Sequence, residues 1–315
     1  MHLRILYHDR CFDGSCAAAI FGHFFRQRMD ASAEFSLQGL FHQANQLFPD
    51  ELFAGDENAI VDFKFANNPK LNWWFDHHQS AFLSEEDEQA FGRDESGKKF
   101  YDASYRSCTQ FIADIARDRF GYDPVAMADL IHWADIIDGA RYDCAKTAVE
   151  MPAAAMKLTL VLEASKENLT SKVIPLLTEY SLDEIVERPD IRPVFDELYR
   201  RHQASIEIIR KRSVNKDGVI YFDLGDTDLA GYNKFIPYYL HPDGTYTVSV
   251  LDAGFRTKIS VGSSPWAENP KHNLATLCER YGGGGHARVG AISYGPGELD
   301  RARQTASEIV AELQT

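Results

Sequence analysis

Acids and imidazoles collect at four places in the first half of the chain. They are His8 and Asp13 in HDRCFDGS, Asp62 in IVDF, Asp76–His77–His78 in WFDHH, and Asp135 with Asp138 in HWADIIDG. The first three clusters each follow a short apolar run that reads as a strand. In an open α/β sheet, ligands bind in the crevice outside the carboxyl ends of the strands. Carboxylates gathered on one rim repel one another unless a cation neutralises them, so the set implies a metal site. Mixed imidazole and carboxylate ligands suit Mn²⁺, Zn²⁺ or Fe²⁺, whereas a mostly oxygen set favours Mg²⁺ or Mn²⁺. A single Asp at a strand end is more often a turn or helix cap than a ligand. Several such clusters together outweigh that reading.

The elements that must position these groups follow from the apolar pattern. Residues 3–7 (LRILY), 58–63 (NAIVDF) and 71–75 (LNWWF) read as buried strands, and 14–28, 104–119 and 125–138 as helices. Short apolar strands alternating with helices predict βαβ units and a mostly parallel sheet. The polar turn FANNPK between the second and third strands is too short for a helical crossover. The helix over 14–28 opens beside His8 and Asp13, so its free N–H groups favour an anion there. Its Ala17, Ala18 and Ala19 allow close packing on the sheet. Residues 85–88 (EEDE) read as a solvated loop.

From about 150 to 213 the pattern is helical, and 194–212 reads as a long amphipathic connector. Beyond it, 218–223, 246–252 and 256–261 alternate with period two, as half-buried strands do. A helix near 271–281, the glycine run 282–285, a strand near 289–294 and a helix near 297–313 follow. The expected fold class is α/β: a mostly parallel sheet over 1–190, a helical connector over 191–213 and a smaller α/β domain over 214–315. Four consecutive glycines are costly in backbone entropy. Close approach of the backbone to a phosphate held by N–H groups would justify them, with His286 and Arg288 supplying positive charge.

Composition narrows the partners. Acids outnumber bases by 47 to 33, a net −14. Such a charge repels extended duplex DNA and anionic membrane but leaves room for a short anionic substrate at a metal. The part up to residue 213 carries −11 of it. No stretch reaches the roughly 18 to 20 apolar residues that span a bilayer. Five scattered cysteines argue against a disulfide framework. A cytoplasmic location is expected.

The motifs in this order, D-H-H at 76–78 and G-G-G-H at 283–286, resemble the DHH phosphoesterase superfamily with a C-terminal DHHA1 domain. That superfamily includes oligoribonucleases, phosphatases of 3′-phosphoadenosine-5′-phosphate, cyclic-dinucleotide phosphodiesterases and RecJ-type exonucleases. The resemblance implies two Mn²⁺ ions, with Mg²⁺ as the alternative. It gives one metal to His8, Asp13 and Asp62, and a second, sharing Asp62, to His77 and Asp138, with Asp76 and Asp135 in reserve. Asp62, His78 and Asp138 would be catalytic. His78 would face the substrate phosphate, and His286, Gly283, Gly284, Gly285, Arg288 and Ser107 would bind substrate. Two positions depart from the family pattern. Four residues separate His8 from Asp13 where three are usual, and Ser15 stands in place of a second Asp, which leaves water or Asp9 to supply the missing ligand.

The implied activity is metal-dependent hydrolysis of phosphodiester or phosphomonoester bonds in short oligonucleotides or small nucleotides, in a cleft between the domains. The alternatives are a pyrophosphate or polyphosphate hydrolase, and a degenerate nucleotide-binding protein that does not cleave. Long duplex DNA and membrane are excluded as partners, and a homodimer is compatible with the pattern.

Overall fold

Five parallel strands carry the first half of the protein. In this computed structural model, which describes residues 1–43, 46–166, 168–229 and 231–315, β1 (His2–His8) leads through α1 (Phe12–Arg28) to β2 (Glu34–Leu40). Next come β3 (Glu57–Val61), β4 (Trp73–Asp76), α2 (Glu85–Gly92), β5 (Lys99–Tyr101), α3 (Cys108–Phe120) and α4 (Ala128–Asp138). The sheet order is β2-β1-β3-β4-β5, with every pairing parallel. Sheets of this kind are covered on both faces, so their central strands read as continuous apolar runs. Leu3, Ile5, Leu6 and Tyr7 of β1, Ala59–Val61 of β3 and Trp73–Asp76 of β4 are all buried.

Parallel neighbours usually need a crossover of about a dozen residues or more, most often a helix. The link 62–72 between β3 and β4 manages without one. Asn58 ties its far end down, donating its backbone N–H to Asn72 Oδ1 at 2.8 Å and its side-chain amide to the Lys70 carbonyl at 3.0 Å. Trp74 donates its indole N–H to the Phe63 carbonyl at 2.9 Å, and its ring meets Phe65 edge-on at 4.9 Å.

In this first half three elements differ from the sequence expectation. β2 and β5 lie outside it, because β2 (EFSLQGL) is only half-buried, with Glu34, Ser36 and Gln38 on one face, and β5 has three residues. The EEDE run is the first turn of α2 rather than a loop. Ser84 caps it by accepting the Asp87 N–H at 3.2 Å, and acids are favoured at a helix N-terminus.

The described chain divides into two compact units, Met1–Arg141 with Pro152–Leu198 and Tyr142–Met151 with Tyr199–Thr315. α5 (Ala145–Glu150) lies in the second unit, whereas α6 (Ala154–Ala164), α7 (Thr170–Leu176) and α8 (Leu182–Val186) lie in the first. Glu167, within the stretch read as helical, lies outside the described residues. α9 (Arg192–Arg212) runs from one unit into the other. The second unit then adds β6 (Val214–Lys216), β7 (Val219–Asp223), α10 (Ile236–Leu240), β8 (Tyr246–Asp252) and β9 (Thr257–Ser263). α11 (Leu274–Glu279), β10 (Gly284–His286), β11 (Val289–Tyr294) and α12 (Leu299–Leu313) complete it. Its sheet is mixed, in the order β10-β11-β9-β8-β7-β6, over a core that includes Val248, Val250, Ile259, Val261, Leu277 and Ile309. No helix among the described residues is long and apolar enough to cross a membrane.

Candidate metal centre

β1, β3 and β4 are consecutive in the sheet, so their carboxyl ends deliver His8, Asp62 and His77–His78 side by side. Asp62 follows β3 with φ at +57°, a left-handed conformation that Asp tolerates better than most residues. Such strain at a ligand-bearing position is held by its surroundings. Here the Asp62 N–H donates to the Phe75 carbonyl at 2.9 Å, which locks the turn onto β4.

The Asp62 carboxylate is 1% exposed, and among the described residues neither oxygen accepts a hydrogen bond. Instead Oδ2 lies 3.3 Å from His8 Nδ1 and Oδ1 lies 3.4 Å from His77 Nε2. His77 Nε2 is also 3.7 Å from Asp13 Oδ2 and 3.6 Å from Asp138 Oδ2. His8 Nδ1 and His77 Nε2 are themselves buried without hydrogen bonds among the described residues. Buried polar atoms are normally paired, so several orphaned acceptors converging on one point fit a divalent cation.

The rings are oriented as metal ligands require. His77 donates Nδ1–H to the Tyr105 carbonyl at 3.0 Å. A carbonyl can only accept, so the Nε2 lone pair is left facing the acids. Asp76 Oδ1 accepts from His78 Nδ1 at 2.7 Å and from the His77 and His78 backbone N–H groups. Asp76 therefore orients the DHH turn and is not brought into the carboxylate cluster.

Electrostatics describe the cluster before a cation arrives. Burial, with the Asp62 charge added, holds the Asp13 carboxyl well above the usual range and lifts Asp138 to about 6. Burial opposes charge on His77, yet Asp62 and Asp13 outweigh it and push its pKa up to about 10. Burial also opposes ionisation of Asp62, but the His77 and His8 rings keep it below the usual carboxylate range. An imidazolium at His77 thus stands where a cation would otherwise neutralise three acids.

The structure partitions the ligands differently from the family pattern. Asp13 groups with His77 and Asp138, while His8 groups with Asp62 and Cys11. Asp62, His77 and His78 form a third group between them. Cys11, absent from the sequence reading, stands at the start of α1 between His8 and Asp13. Its position just after the β1 carboxyl end is the available signal. His42 escapes the sequence reading too, because it follows the unexpected β2. Its ring stacks on Phe63 at 4.6 Å and stands 4.7 Å from His8. Burial, helped by His8 and His78, lowers its pKa to about 4.

Several expected site residues have other uses. Asp135 pairs with Arg141 at 3.3 Å and Arg106 at 3.8 Å, so two guanidinium groups already neutralise it. Asp9 accepts from the Arg10 N–H and, at 2.6 Å, from Asn168, so both its oxygens are engaged elsewhere. Ser15 is fully buried and donates to the Cys11 carbonyl at 2.6 Å. Ser107 is likewise fully buried, and its hydroxyl caps α3 by accepting the Gln110 N–H.

In the second unit, His286 is exposed on β10. Arg288 is committed to the fold, donating to the Ser264 carbonyl at 2.6 Å and the Ala267 carbonyl at 3.2 Å. The glycine run has reasons inside the unit. Gly282 turns at φ +77°, and a Cβ on Gly283 would lie 2.3 Å from the Ala291 carbonyl oxygen. A Cβ on Gly285 would lie 2.2 Å from the Val289 carbonyl oxygen, whereas one on Gly284 would meet nothing within 4 Å.

No family model and no curated protein matches the chain. Solved structures do. A pGpG-specific phosphodiesterase, PggH from Vibrio cholerae, shares 19% identity over 99% of this chain and 99% of its own, with a TM-score of 0.71. A DHH domain described as belonging to a family of ribosomal proteins shares 12% identity over 99% and 87%, with a TM-score of 0.61. The exonuclease RecJ bound to manganese shares 15% identity over 98% and 90%, with a TM-score of 0.51. At these identities the likeness is one of fold: the chain shares the architecture of these solved structures.

Proposed function

We propose that the protein is a divalent-cation-dependent phosphoesterase acting on short oligonucleotides or small nucleotides. The observation that carries this reading is the fully buried Asp62 carboxylate, with both oxygens unpartnered among the described residues, set between His8 and His77 at adjacent strand ends. A structural acid would accept hydrogen bonds from its partners, as Asp135 does from Arg141 at 3.3 Å.

In this reading Asp62 lies between two cation positions, with His8 on one side and Asp13, His77 and Asp138 on the other. Bound divalent ions supply a water of lowered pKa and neutralise charge on the phosphoryl oxygens. His78 is anchored by Asp76. Burial works against its charge, but Asp76 and Asp62 raise its pKa. The upward shift favours the protonated ring, which can donate toward a phosphoryl oxygen as charge develops there. His286 and the backbone of Gly284 and Gly285 hold a substrate phosphate, the Gly283 N–H being taken by the Cys278 carbonyl at 2.9 Å, while Arg288 shapes the loop behind them.

The net charge of −14 supports a substrate short enough to avoid most of the acidic surface. The dinucleotide specificity named for the Vibrio cholerae neighbour agrees with that size.

The test is a panel of linear dinucleotides, 3′,5′-bisphosphorylated adenosine, a cyclic dinucleotide, pyrophosphate and a long single strand, each incubated with Mn²⁺ or EDTA. Release of mononucleotides from the linear dinucleotide in Mn²⁺ alone is expected. Faster hydrolysis of pyrophosphate, or no turnover of any substrate, would overturn the reading. His286→Ala should raise KM and lower kcat with metal content unchanged. Loss of bound metal in that variant would remove His286 from a substrate-holding role.

A further inference from the structure

We infer that Cys11 is a metal ligand, completing with His8 and Asp62 a thiolate-containing position that selects a borderline-soft ion over Mg²⁺. This deepens the metal-centre reading proposed above and rests on it. One ligand atom from each of His8, Cys11 and Asp62 lies within 4.8 Å of the others, a spacing that a single ion can bridge. Proximity of a cysteine would carry little alone. The second observation is that the other members of the group are unsatisfied. His8 Nδ1 and both Asp62 oxygens are buried without hydrogen bonds among the described residues.

The placement of Cys11 is fixed by its neighbours. It stands at the N-cap of α1 with extended backbone (φ −126°, ψ 136°), and its side chain forms no cap hydrogen bond. Its carbonyl accepts both the Ser15 N–H and the Ser15 hydroxyl. A Cβ on Gly14 would come within 2.2 Å of the His8 carbonyl oxygen, so the turn 8–14 is drawn tight against the end of β1. Ser15 and Asp9, on either side of Cys11 in the chain, both point their oxygens elsewhere. Burial and the charges of Asp62 and Asp13 push the Cys11 thiol up, so Cys11 supplies the extra anionic donor only as an arriving cation displaces its proton to solvent.

The chemistry then divides the centre. Thiolate and imidazole ligands suit Zn²⁺, Fe²⁺ and Co²⁺, whereas Mg²⁺ requires oxygen donors. The position formed by Asp13, His77 and Asp138 lacks sulfur and keeps a preference for Mn²⁺.

The experiment uses Co²⁺ as the probe, added anaerobically to the intact protein. Wild-type protein and Cys144→Ser, which alters an exposed thiol in the other unit, are expected to show a near-ultraviolet thiolate-to-cobalt charge-transfer band. Cys11→Ser should lose that band. It should also bind Zn²⁺ more than about a hundredfold more weakly, beyond the usual 10–100-fold cost of losing an outer-shell partner. Cys11→Asp should restore binding while shifting preference toward Mg²⁺ and Mn²⁺. If the Cys11 variants fail to fold, alkylation mapping of the wild type replaces them: Zn²⁺ should protect Cys11 and leave Cys144 reactive. Bound cobalt without a charge-transfer band, or Cys11 alkylated equally with and without Zn²⁺, would overturn the assignment and leave the phosphoesterase reading standing. No metal binding at all would overturn both.

Discussion

Thr109 holds the Asp13 carboxylate with two donors, its N–H at 3.0 Å and its hydroxyl at 2.6 Å, both to Oδ1. The Cys108 N–H takes Oδ2 at 2.6 Å, from 95 residues away in the chain. One buried acid therefore joins the first turns of α1 and α3, and Oδ2 still faces His77 at 3.7 Å. The helix positions the ligand, and the ligand caps the helix.

Thr109→Val keeps the shape and removes the hydroxyl. A buried carboxylate left short of a donor costs about 1–3 kcal/mol, and a ligand deprived of its outer partner loses about 10–100-fold in metal affinity. Thermal unfolding in EDTA and Mn²⁺ calorimetry should show both losses, with Thr109→Ser close to wild type. Unchanged Mn²⁺ affinity in the valine variant would show that Asp13 does not hold metal.

Asp62→Ala and Asp62→Asn should both cut metal-dependent turnover by at least about a hundredfold. They should differ in stability. Asn tolerates the +57° backbone angle, whereas Ala there carries strain of about 1–3 kcal/mol. Relief of carboxylate repulsion alone would leave the metal-free alanine variant as stable as wild type or more so. The geometry predicts a loss instead, because His77 would lose its nearest counter-charge. Denaturant titration in EDTA distinguishes these outcomes.

Metal binding should release protons. The bound state needs His77 neutral and both Asp13 and Asp138 ionised, yet without metal the Asp13 carboxyl is held well above its usual range and the other two lie at about 10 and about 6. Between about 6 and about 10 at least the His77 proton must leave, so affinity should rise at least about tenfold per pH unit, and more steeply below about 6. Calorimetry in buffers of different ionisation enthalpy counts the protons. In metal-free protein the signs reverse. Both pKa values are raised by folding, so the folded state binds more protons and stability falls as pH rises. The Asp138 contribution falls between its ordinary 3.8 and about 6, and the His77 contribution between 6.5 and about 10.

Gly14→Ala should damage the site without replacing a ligand. The new Cβ would lie 2.2 Å from the His8 carbonyl oxygen, forcing the start of α1 away from the end of β1. Overpacking of this kind costs about 1–3 kcal/mol. The displacement should weaken Co²⁺ or Mn²⁺ binding as well. Wild-type affinity in that variant would mean that the His8–Cys11 turn is not held by this contact.

The sequence by itself determined the class of chemistry and the alternation of strands and helices that implied a parallel sheet. Asp76–His77–His78 and Asp62 end short apolar runs, and that pattern needs no distant information to read. What each group touches was decided by tertiary structure. Asp135 and Asp138 share α4, three positions apart, yet the arginines at 106 and 141 claim the first while only the second reaches His77. Asp13 sits with His77 rather than His8, in part because amides of α3 aim its carboxylate. Ser107 and Arg288 resembled substrate contacts, but their polar atoms are used by a helix cap and a loop. Cys11 carried no local signal beyond its place after β1, since a thiol becomes a ligand only when unsatisfied donors from other strands converge on it. Local sequence records periodicity and residue type. Convergence of groups from β1, β3, β4, α1 and α4 on one point depends on sheet order and on which charges find partners first.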